Sequence, residues 1–445
     1  MKNLKQLAEI SKGKLSGSSI NIDSFSIDTR TINLNEAYIA LEGENFDGHE
    51  FISEAALKGA SAVIVNKPIE ADIPHIIVAD TLEFMKNIAE YNRNQFKGKM
   101  IGITGTNGKT TTKQIVANLL NGTNLCHKTL GNKNNQIGVP YSMLSLENKY
   151  KYSVIEMGTS EPGEIELLNA RVKPDIAAIT NVSMGHLEGL RNTESIAKEK
   201  GNILNFYSDS GVAILPRDSE FFDFWSDKTN AKEISSFGTD QNSDFRVANA
   251  EIDIENNLTH FHLYFENQRE DMSINGIGLN NSLNAALATA IGLHCGIEIN
   301  EIKNRLTQTD LPERRLSVTE SLNGSIMIDD TYNSNPASLK NALDSLDKLD
   351  KKKICVLGEM KELGLDSKLI HKEMYEYASK RVDKVLCIGK SWSECDFDTN
   401  KELEIFYDQD LLYDYLVSII DDKTVLLVKG SRSTRMDIIA DKLKK

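Results

Sequence analysis

The run "IGITGTNGKTTTK" at residues 101–113 sets two closely spaced glycines, a lysine and a row of threonines directly behind a short apolar stretch. A loop that joins a strand to the first turn of a helix can aim several backbone N–H groups at one anion, and the helix dipole adds to the attraction. Glycine is required where the backbone closes on phosphate oxygens or takes a positive φ. Gly105, Thr106, Asn107, Gly108, Lys109, Thr110 and Thr111 therefore form a candidate nucleotide cradle. In such a loop Lys109 would reach the β- and γ-phosphates, and the Thr110 hydroxyl would ligate Mg²⁺. The spacing is G-x-x-G-K-T, shorter than G-x-x-x-x-G-K-[ST], so a tight glycine turn with incidental Lys and Thr is the alternative. The strand before it and the helix after it favour the nucleotide.

Other polar residues fall at the ends of apolar runs, where open α/β sheets keep their sites. Glu156 ends "YSVIE", placed to hold Mg²⁺ beside the phosphate loop. His186, in "TNVSMGHLEG", follows the next run and is a candidate for the same site. Lys198 and Lys200, two positions apart in "SIAKEKGNIL", point to nearly opposite sides of a helix. At most one of them can face a site, and both read as solvated charges. Asn281 and Asn284 in "NNSLN" share a helical face and could read an adenine edge or cap the helix. "DDTYNSNP" offers Asp330, Asn333 and Asn335 to ribose or phosphate, with an Asx turn and helix cap as the alternative. "VKGSRSTR" brings Lys429, Arg432 and Arg435 to a strand-to-helix turn. A guanidinium there could grip a carboxylate or phosphate with two bonds, or the turn could simply be a solvated helix start.

The elements that must position these residues fall into three stretches, as a chain of 445 residues suggests. Residues 1–97 mix the strand-like "AYIAL" and "SAVIVN" with a helical "FISEAALKG" and a loop, "EGENFDGHEF". Nothing in that stretch signals catalysis. Residues 98–311 alternate "KMIGIT", "YSVIEM", "DIAAIT" and "GVAIL" with polar turns, the texture of a buried parallel sheet. "DFRVANAEID" and "LTHFHLYFE" predict an antiparallel addition, and "NSLNAALATAIGLHCG" a helix ending at Gly296. Residues 312–445 alternate "IMIDD", "KKICVLG", "VDKVLCIG" and "TVLLVKG" with helical "PASLKNALDSL" and "HKEMYEYASK". Asn335-Pro336 marks a helix start there. The expected fold class is α/β: a small N-terminal domain, a central P-loop domain on a parallel sheet, and a Rossmann-like, doubly wound C-terminal domain.

With 40% apolar and 26% charged residues the composition is that of ordinary soluble proteins. A formal charge of −14 argues against a nucleic-acid or membrane-surface binder, which needs a basic face. No apolar run is long enough to span a bilayer. The N-terminus lacks a signal-peptide core. Five scattered cysteines without a CxxC pair read as reduced thiols in a cytoplasmic protein.

Taken together, these stretches resemble the muramyl ligases, which build the peptide of bacterial cell-wall precursors. The resemblance runs from "DTR" at Asp28–Arg30 to "KGSRSTR" near the end of the chain. The phosphate loop marks only the superfamily. "GENFDGHEF", "GNKNNQIGVP", "EMGTSEPGEI" with "GHLEG", and "LGEMKELG" are most similar to members that add D-alanyl-D-alanine to UDP-N-acetylmuramoyl-tripeptide. The resemblance implies an ATP-dependent amide ligase working through an acyl phosphate, expected to be a cytoplasmic monomer with two Mg²⁺ ions. It matches Gly105 through Thr111 to the ATP loop, Glu156 to a Mg²⁺ acid and His186 to a ligand of a second Mg²⁺. Lys200 matches a lysine often carried as a carbamate, which would turn a cation into a metal-supporting anion. Asn281, Asp330, Asn333 and Asn335 match nucleotide contacts. Thr29, Arg30 and the Gly48–His49 turn resemble the UDP region, and Asn134 and Asn135 the substrate-facing loop. Arg432 is the expected substrate contact of the last domain.

The chain departs from the family's pattern at two places. Asn280 stands where the family commonly has His before the adenine-side Asn. Arg314-Arg315 stands where it has Gly-Arg at the hinge, with Arg315 the expected nucleotide contact. Ligases that add the third amino acid usually carry "DNPR" in the last domain, which this sequence lacks; folate polyglutamating ligases usually read GKGS where this chain reads GKTT. A P-loop switch is the reading from another class, and it would release phosphate without either ligase substrate.

Overall fold

Apolar side chains alternate between the two faces of the parallel strands, and helices bury both faces. Along the strand Lys99–Thr104, Met100 joins one apolar layer while Ile101 and Ile103 join the opposite one. Ile155 and Val154 divide in the same way, as do Cys355 and Val356 in a later sheet. Two covered faces explain why these strands read as continuous apolar runs in the sequence. The computed structural model describes residues 2–120, 125–183, 190, 192–395, 397 and 404–445.

Among them, the first large sheet has five strands in the order Lys14–Ser16, His75–Ile77, Ala62–Val65, Glu36–Ile39 and Ser24–Ser26. Its first pair is antiparallel and the rest parallel. The stretch expected to be a loop, "EGENFDGHEF", is instead a small hairpin of Glu42–Gly43 with Phe46–Asp47, followed by a 3₁₀ turn, Gly48–Phe51. The Gly48 amide donates to the Leu41 carbonyl at 2.8 Å, and a Cβ at Gly48 would meet that oxygen at 2.7 Å. Helix Thr81–Gln95 leads out of this unit and is capped by Asp80. Its Asn92 and Arg93 donate to the Met143, Leu144, Val172 and Lys173 carbonyls, fastening the unit to the next one.

The second sheet has nine strands, ordered Cys126–Lys128, Tyr152–Glu156, Lys99–Thr104, Ile176–Ile179, Val212–Pro216, Glu233–Gly238, Phe245–Asp253, Leu258–Phe265 and Gln268–Asn275. Pairing is parallel up to Phe245–Asp253 and antiparallel beyond it. Two of the three antiparallel-arm strands are the expected ones. The third, Gln268–Asn275, carries few apolar residues because it is an edge with one exposed face. The helix Leu279–His294 runs to the predicted stop, where Gly296 takes φ 80°.

The third sheet has six strands, ordered Ser317–Glu320, Ile326–Asp330, Thr424–Lys429, Lys352–Gly358, Lys384–Ile388 and Glu404–Phe406, antiparallel at the first pair. Helices Pro336–Asp347 and Ser367–Ala378 cover one face, and Gln409–Ile419 and Met436–Leu443 the other, a doubly wound unit. Asn335 and Ser338 form a reciprocal capping box with Pro336 in the first turn. Between the second and third sheets, Arg314 and Leu316 sit at φ 60° and 56°, the left-handed region that strains non-glycine residues. Asp330 Oδ1 accepts from the Leu316 amide at 3.2 Å, and Arg314 Nη2 donates to Asp441 at 2.9 Å. These contacts hold the strained connection in place.

Candidate active site

The carboxyl ends of the second and third sheets open on one cavity of about 830 Å³. From the second sheet come the loop after Lys99–Thr104, Glu156 at the end of the neighbouring strand, and Thr180 just past Ile176–Ile179. From the third come Asp330 and Lys429, which face each other in register at the ends of paired strands.

The phosphate loop has the predicted geometry. Gly105 takes φ 150° with Thr180 Oγ1 1.8 Å from where a Cβ would lie. Gly108 takes φ 80° and caps the helix Lys109–Leu119. Asn181 clasps Asn107, accepting from its amide and donating to its carbonyl at 3.0 Å each. Lys109 folds back onto the loop, donating to the Gly105 and Thr106 carbonyls at 2.8 and 3.0 Å. Withdrawal from water, opposed by Glu156 and reinforced by Arg315, pushes its pKa down to about 8. Thr106, Asn107, Gly108, Thr110 and Thr111 line the cavity with it.

Glu156 is 1% exposed. Its Oε1 accepts from Thr110 Oγ1 at 3.0 Å and Asn134 Nδ2 at 2.7 Å. Its Oε2 has no hydrogen bond among the described residues and lies 3.4 Å from the buried Lys113 ammonium. Glu156 Oε1 and the Thr110 hydroxyl together offer two oxygen donors at the cavity wall, the kind a hard cation such as Mg²⁺ takes. The donor set fits the ion.

Lys200 corrects the reading of a solvated charge. It is 1% exposed, while Lys198 on the other side of the helix Thr193–Gly201 is exposed. Burial, with the Lys109 charge nearby, holds the Lys200 amine well below the usual lysine range. Helix spacing separated the two lysines; which face would be covered depends on packing the sequence does not display. His186 lies outside the described residues.

The amides of "NNSLN" turn inward. Asn281 Nδ2 donates to the Ile277 carbonyl at 2.7 Å, and Asn284 Oδ1 accepts from Thr112 at 3.3 Å behind Gly108. Both still border the cavity, as do Asn333, Asn335, Arg315, Asn134 and Asn135. Asp330 Oδ2 takes a 2.6 Å ion pair from Lys429, which is 2% exposed. Asn335 Nδ2 donates to Asn107 Oδ1 at 2.8 Å, and Arg315 Nη2 to Thr110 Oγ1 at 3.2 Å, so the third unit touches the phosphate loop directly. Asn135 Oδ1 accepts from the Gly138 amide at 2.8 Å at the start of the helix Gly138–Met143.

The remaining candidates lie off this cavity. Arg432 is exposed and reaches toward Asp437, at 3.6 Å. Thr29 donates to Glu54 at 3.1 Å, and Arg30 is exposed and held by Asp28 at 2.7 Å. His49 Nδ1 bonds Asp47 at 2.6 Å and its Nε2 accepts from the Asn66 amide, beside Gly48. Asp28 and Lys133 feel each other's charge, which brings the Thr29–Arg30 turn near the 131–135 loop. Sequence reading missed Lys113, which stands one turn from Lys109 on the same helix, and Asn181, which the sheet alone brings to the loop.

A phosphate loop, a carboxylate on the adjacent strand and a third α/β unit in contact with the loop define a multidomain P-loop enzyme that handles a nucleotide between two sheets. The Mur ligase middle domain matches residues 103–292, the Mur ligase glutamate ligase domain residues 314–432, and the Mur ligase family catalytic domain residues 21–94. The chain belongs to the Mur ligase family. It is 32% identical to the UDP-N-acetylmuramoyl-tripeptide--D-alanyl-D-alanine ligase of Escherichia coli, over 98% of this chain and 96% of the relative. A crystal structure of MurF from Acinetobacter baumannii superposes with a TM-score of 0.88 at 28% identity, covering 100% of this chain and 99% of that one. MurF ligase from Thermotoga maritima in complex with ADP gives 0.82 at 26% identity, covering 94% and 96%.

Proposed function

We propose that this chain joins D-alanyl-D-alanine to the terminal carboxylate of UDP-N-acetylmuramoyl-tripeptide at the expense of ATP, in the synthesis of peptidoglycan precursors. The observation that carries the reading is one cavity bordered by the phosphate loop, Glu156 and the Asp330–Lys429 pair, in a chain similar over its whole length to ligases of that name. A carboxylate resists attack by an amine because it is anionic and its oxygen leaves poorly. Transfer of the γ-phosphoryl group to it gives a mixed anhydride. The dipeptide's free amine then attacks the carbonyl, and the tetrahedral adduct expels phosphate.

Two anions must meet in the first step, so positive charge has to be concentrated there. Lys109 leaves the Gly105 and Thr106 carbonyls for the β- and γ-oxygens, while the loop amides and the helix N-terminus hold the same phosphates. Thr110 and Glu156 are the residues that would hold Mg²⁺. An ion bound there would neutralise the phosphate oxygens during transfer. Lys200, buried beside Lys109, is the residue for a carbamate, and with His186 it would serve a second ion.

The residues off the cavity divide the substrates in this reading. Thr29, Arg30, Gly48 and His49 take the UDP part, Asn134 and Asn135 face the tripeptide, and Arg432 meets the dipeptide. Asn281, Asn284, Arg315, Asp330, Asn333 and Asn335 border the nucleotide. Units at 1–97, 98–311 and 312–445 would close on one another to exclude water from the acyl phosphate. The enzyme is proposed to act as a monomer. Among the described residues no helix is long and apolar enough to cross a membrane. Work on a nucleotide-linked precursor with ATP is proposed to be cytoplasmic.

The test is isotopic. Tripeptide labelled with oxygen-18 in its terminal carboxyl should deliver the label into released phosphate, with ATP consumed only when tripeptide and dipeptide are both present. Unlabelled phosphate, or full ATP turnover without the dipeptide, refutes the proposal.

A further inference from the structure

Lys113 is a cation at a depth where lysines are rare. It is 3% exposed, on the helix Lys109–Leu119, one turn beyond Lys109 and on the same side. Its Nζ donates to the Gly131 carbonyl at 2.5 Å and lies 3.4 Å from Glu156 Oε2. Among the described residues that oxygen has no hydrogen bond, and the ion pair makes Lys113 its counter-charge. Oε1, by contrast, is turned to Thr110 and Asn134 at the cavity wall. The two ends of the carboxylate thus face different surroundings, one a fixed internal cation and the other the cavity.

Lys113 also closes a ring of contacts. Gly131 opens the loop whose Asn132 amide donates to the Tyr332 hydroxyl at 2.9 Å. The Tyr332 ring carries the Arg315 guanidinium 4.0 Å above its centre, and Arg315 donates to Thr110. From Thr110 the ring returns through Glu156 to Lys113.

We propose that Lys113 is a positioning residue for the ligation: it fixes the Glu156 carboxylate with Oε1 toward the cavity and holds its affinity for a divalent ion down. A unit positive charge a few ångströms from a carboxylate cancels much of the potential that would attract a dication, and in a buried setting water screens it little. Glu156 with this partner binds the ion in one orientation and releases it with the spent nucleotide. Without the partner, the carboxylate is an uncompensated buried anion and seizes any available cation.

This inference rests on Glu156 as the metal-holding acid, which is tested separately. Mn²⁺ binding to wild-type enzyme with ADP, read by electron paramagnetic resonance, should be present and should vanish in Glu156→Gln; if wild type binds none, that reading falls first. Lys113→Met keeps an unbranched side chain only one atom shorter and removes its charge. It is expected to bind Mn²⁺ with ADP about 10-fold tighter than wild type. Affinity equal to or weaker than wild type, with Glu156→Gln still abolishing binding, overturns the role of Lys113 and leaves Glu156 standing. Should Lys113→Met fail to fold, Lys113→Met/Glu156→Gln decides, since removing both charges leaves neither buried alone. Recovered folding in the double variant supports the pairing; continued failure means Lys113 acts by packing, and the proposal is wrong.

Discussion

The Thr110 hydroxyl donates to Glu156 Oε1 at 3.0 Å although 46 residues separate them in the chain. Parallel pairing places Ile103 opposite Glu156, so the acid ends its strand as the neighbouring strand turns into the phosphate loop. The first turn of the next helix then hangs the Thr110 side chain over the carboxylate. Hydroxyl and carboxylate are joined here by a hydrogen bond and would share an ion when nucleotide is bound. Thr110→Val keeps the shape and removes the oxygen. We expect turnover to fall about 10²-fold with circular dichroism unchanged, measured as ADP release in the presence of both acceptor and dipeptide.

Lys109 is expected to be indispensable, and Lys109→Ala to abolish ligation while the melting temperature stays near that of wild type. Its pH dependence has a definite sign. With a pKa of about 8 in the nucleotide-free enzyme, the amine is charged below that pH and neutral above it. Only the charged form attracts the phosphates, so kcat/KM for ATP should fall as pH rises through about 8. Bound phosphates favour the charged form, so kcat should fall only at higher pH. A kcat/KM that stays level from neutral pH to well above 8 would show that the group is not what the nucleotide senses.

The phosphate loop was readable from the sequence because its parts are contiguous: Gly105 to Thr111 make most of their geometry within one turn. Glu156 was readable because a polar residue closing an apolar run must sit at a strand end. Lys200 was not, since a helix with lysines on both sides does not announce which side will be covered. The left-handed Arg314 was signalled only by the glycine that the family has at that position. Glycine signals such a backbone, and here an arginine is held in it by Asp441 and the neighbouring Leu316–Asp330 contact. Gln268–Asn275 carries few apolar residues because it is a polar edge strand, whereas Ile299–Thr307 shows helical spacing at Ile299, Ile302 and Leu306 that the sequence reading did not use.

Asn335 does two jobs that substitution can separate. Its side chain caps the helix Pro336–Asp347 through the Ser338 amide at 2.9 Å, and it exchanges hydrogen bonds with Asn107 across the cavity. Asn335→Ala should cost about 1 kcal/mol of stability from the lost cap. It should also raise the KM for ATP, because the contact between the last unit and the phosphate loop goes with it. Ser338→Ala removes the reciprocal half of the capping box and leaves the Asn107 contact. It should therefore lower the melting temperature without moving the ATP KM. Equal effects of the two variants on KM would assign the loss to helix capping alone.

Lys200 offers the most direct chemical test. Burial beside another cation favours the neutral form of the Lys200 amine, and a neutral amine adds to carbon dioxide. The resulting carbamate, formed with loss of a proton to solvent, sets a negative charge near Lys109 where the amine could offer only a neutral group or a repelling cation. Enzyme equilibrated with carbon-13 bicarbonate should show a carbamate carbon resonance that is missing from Lys200→Ala. The variant should lose about 10²-fold or more in turnover, and a small carboxylic acid diffusing into the vacated space should restore part of it. If Lys200→Ala keeps wild-type turnover, or if wild-type enzyme shows no carbamate while fully active, Lys200 acts as an amine buried for packing and the second ion has lost its support.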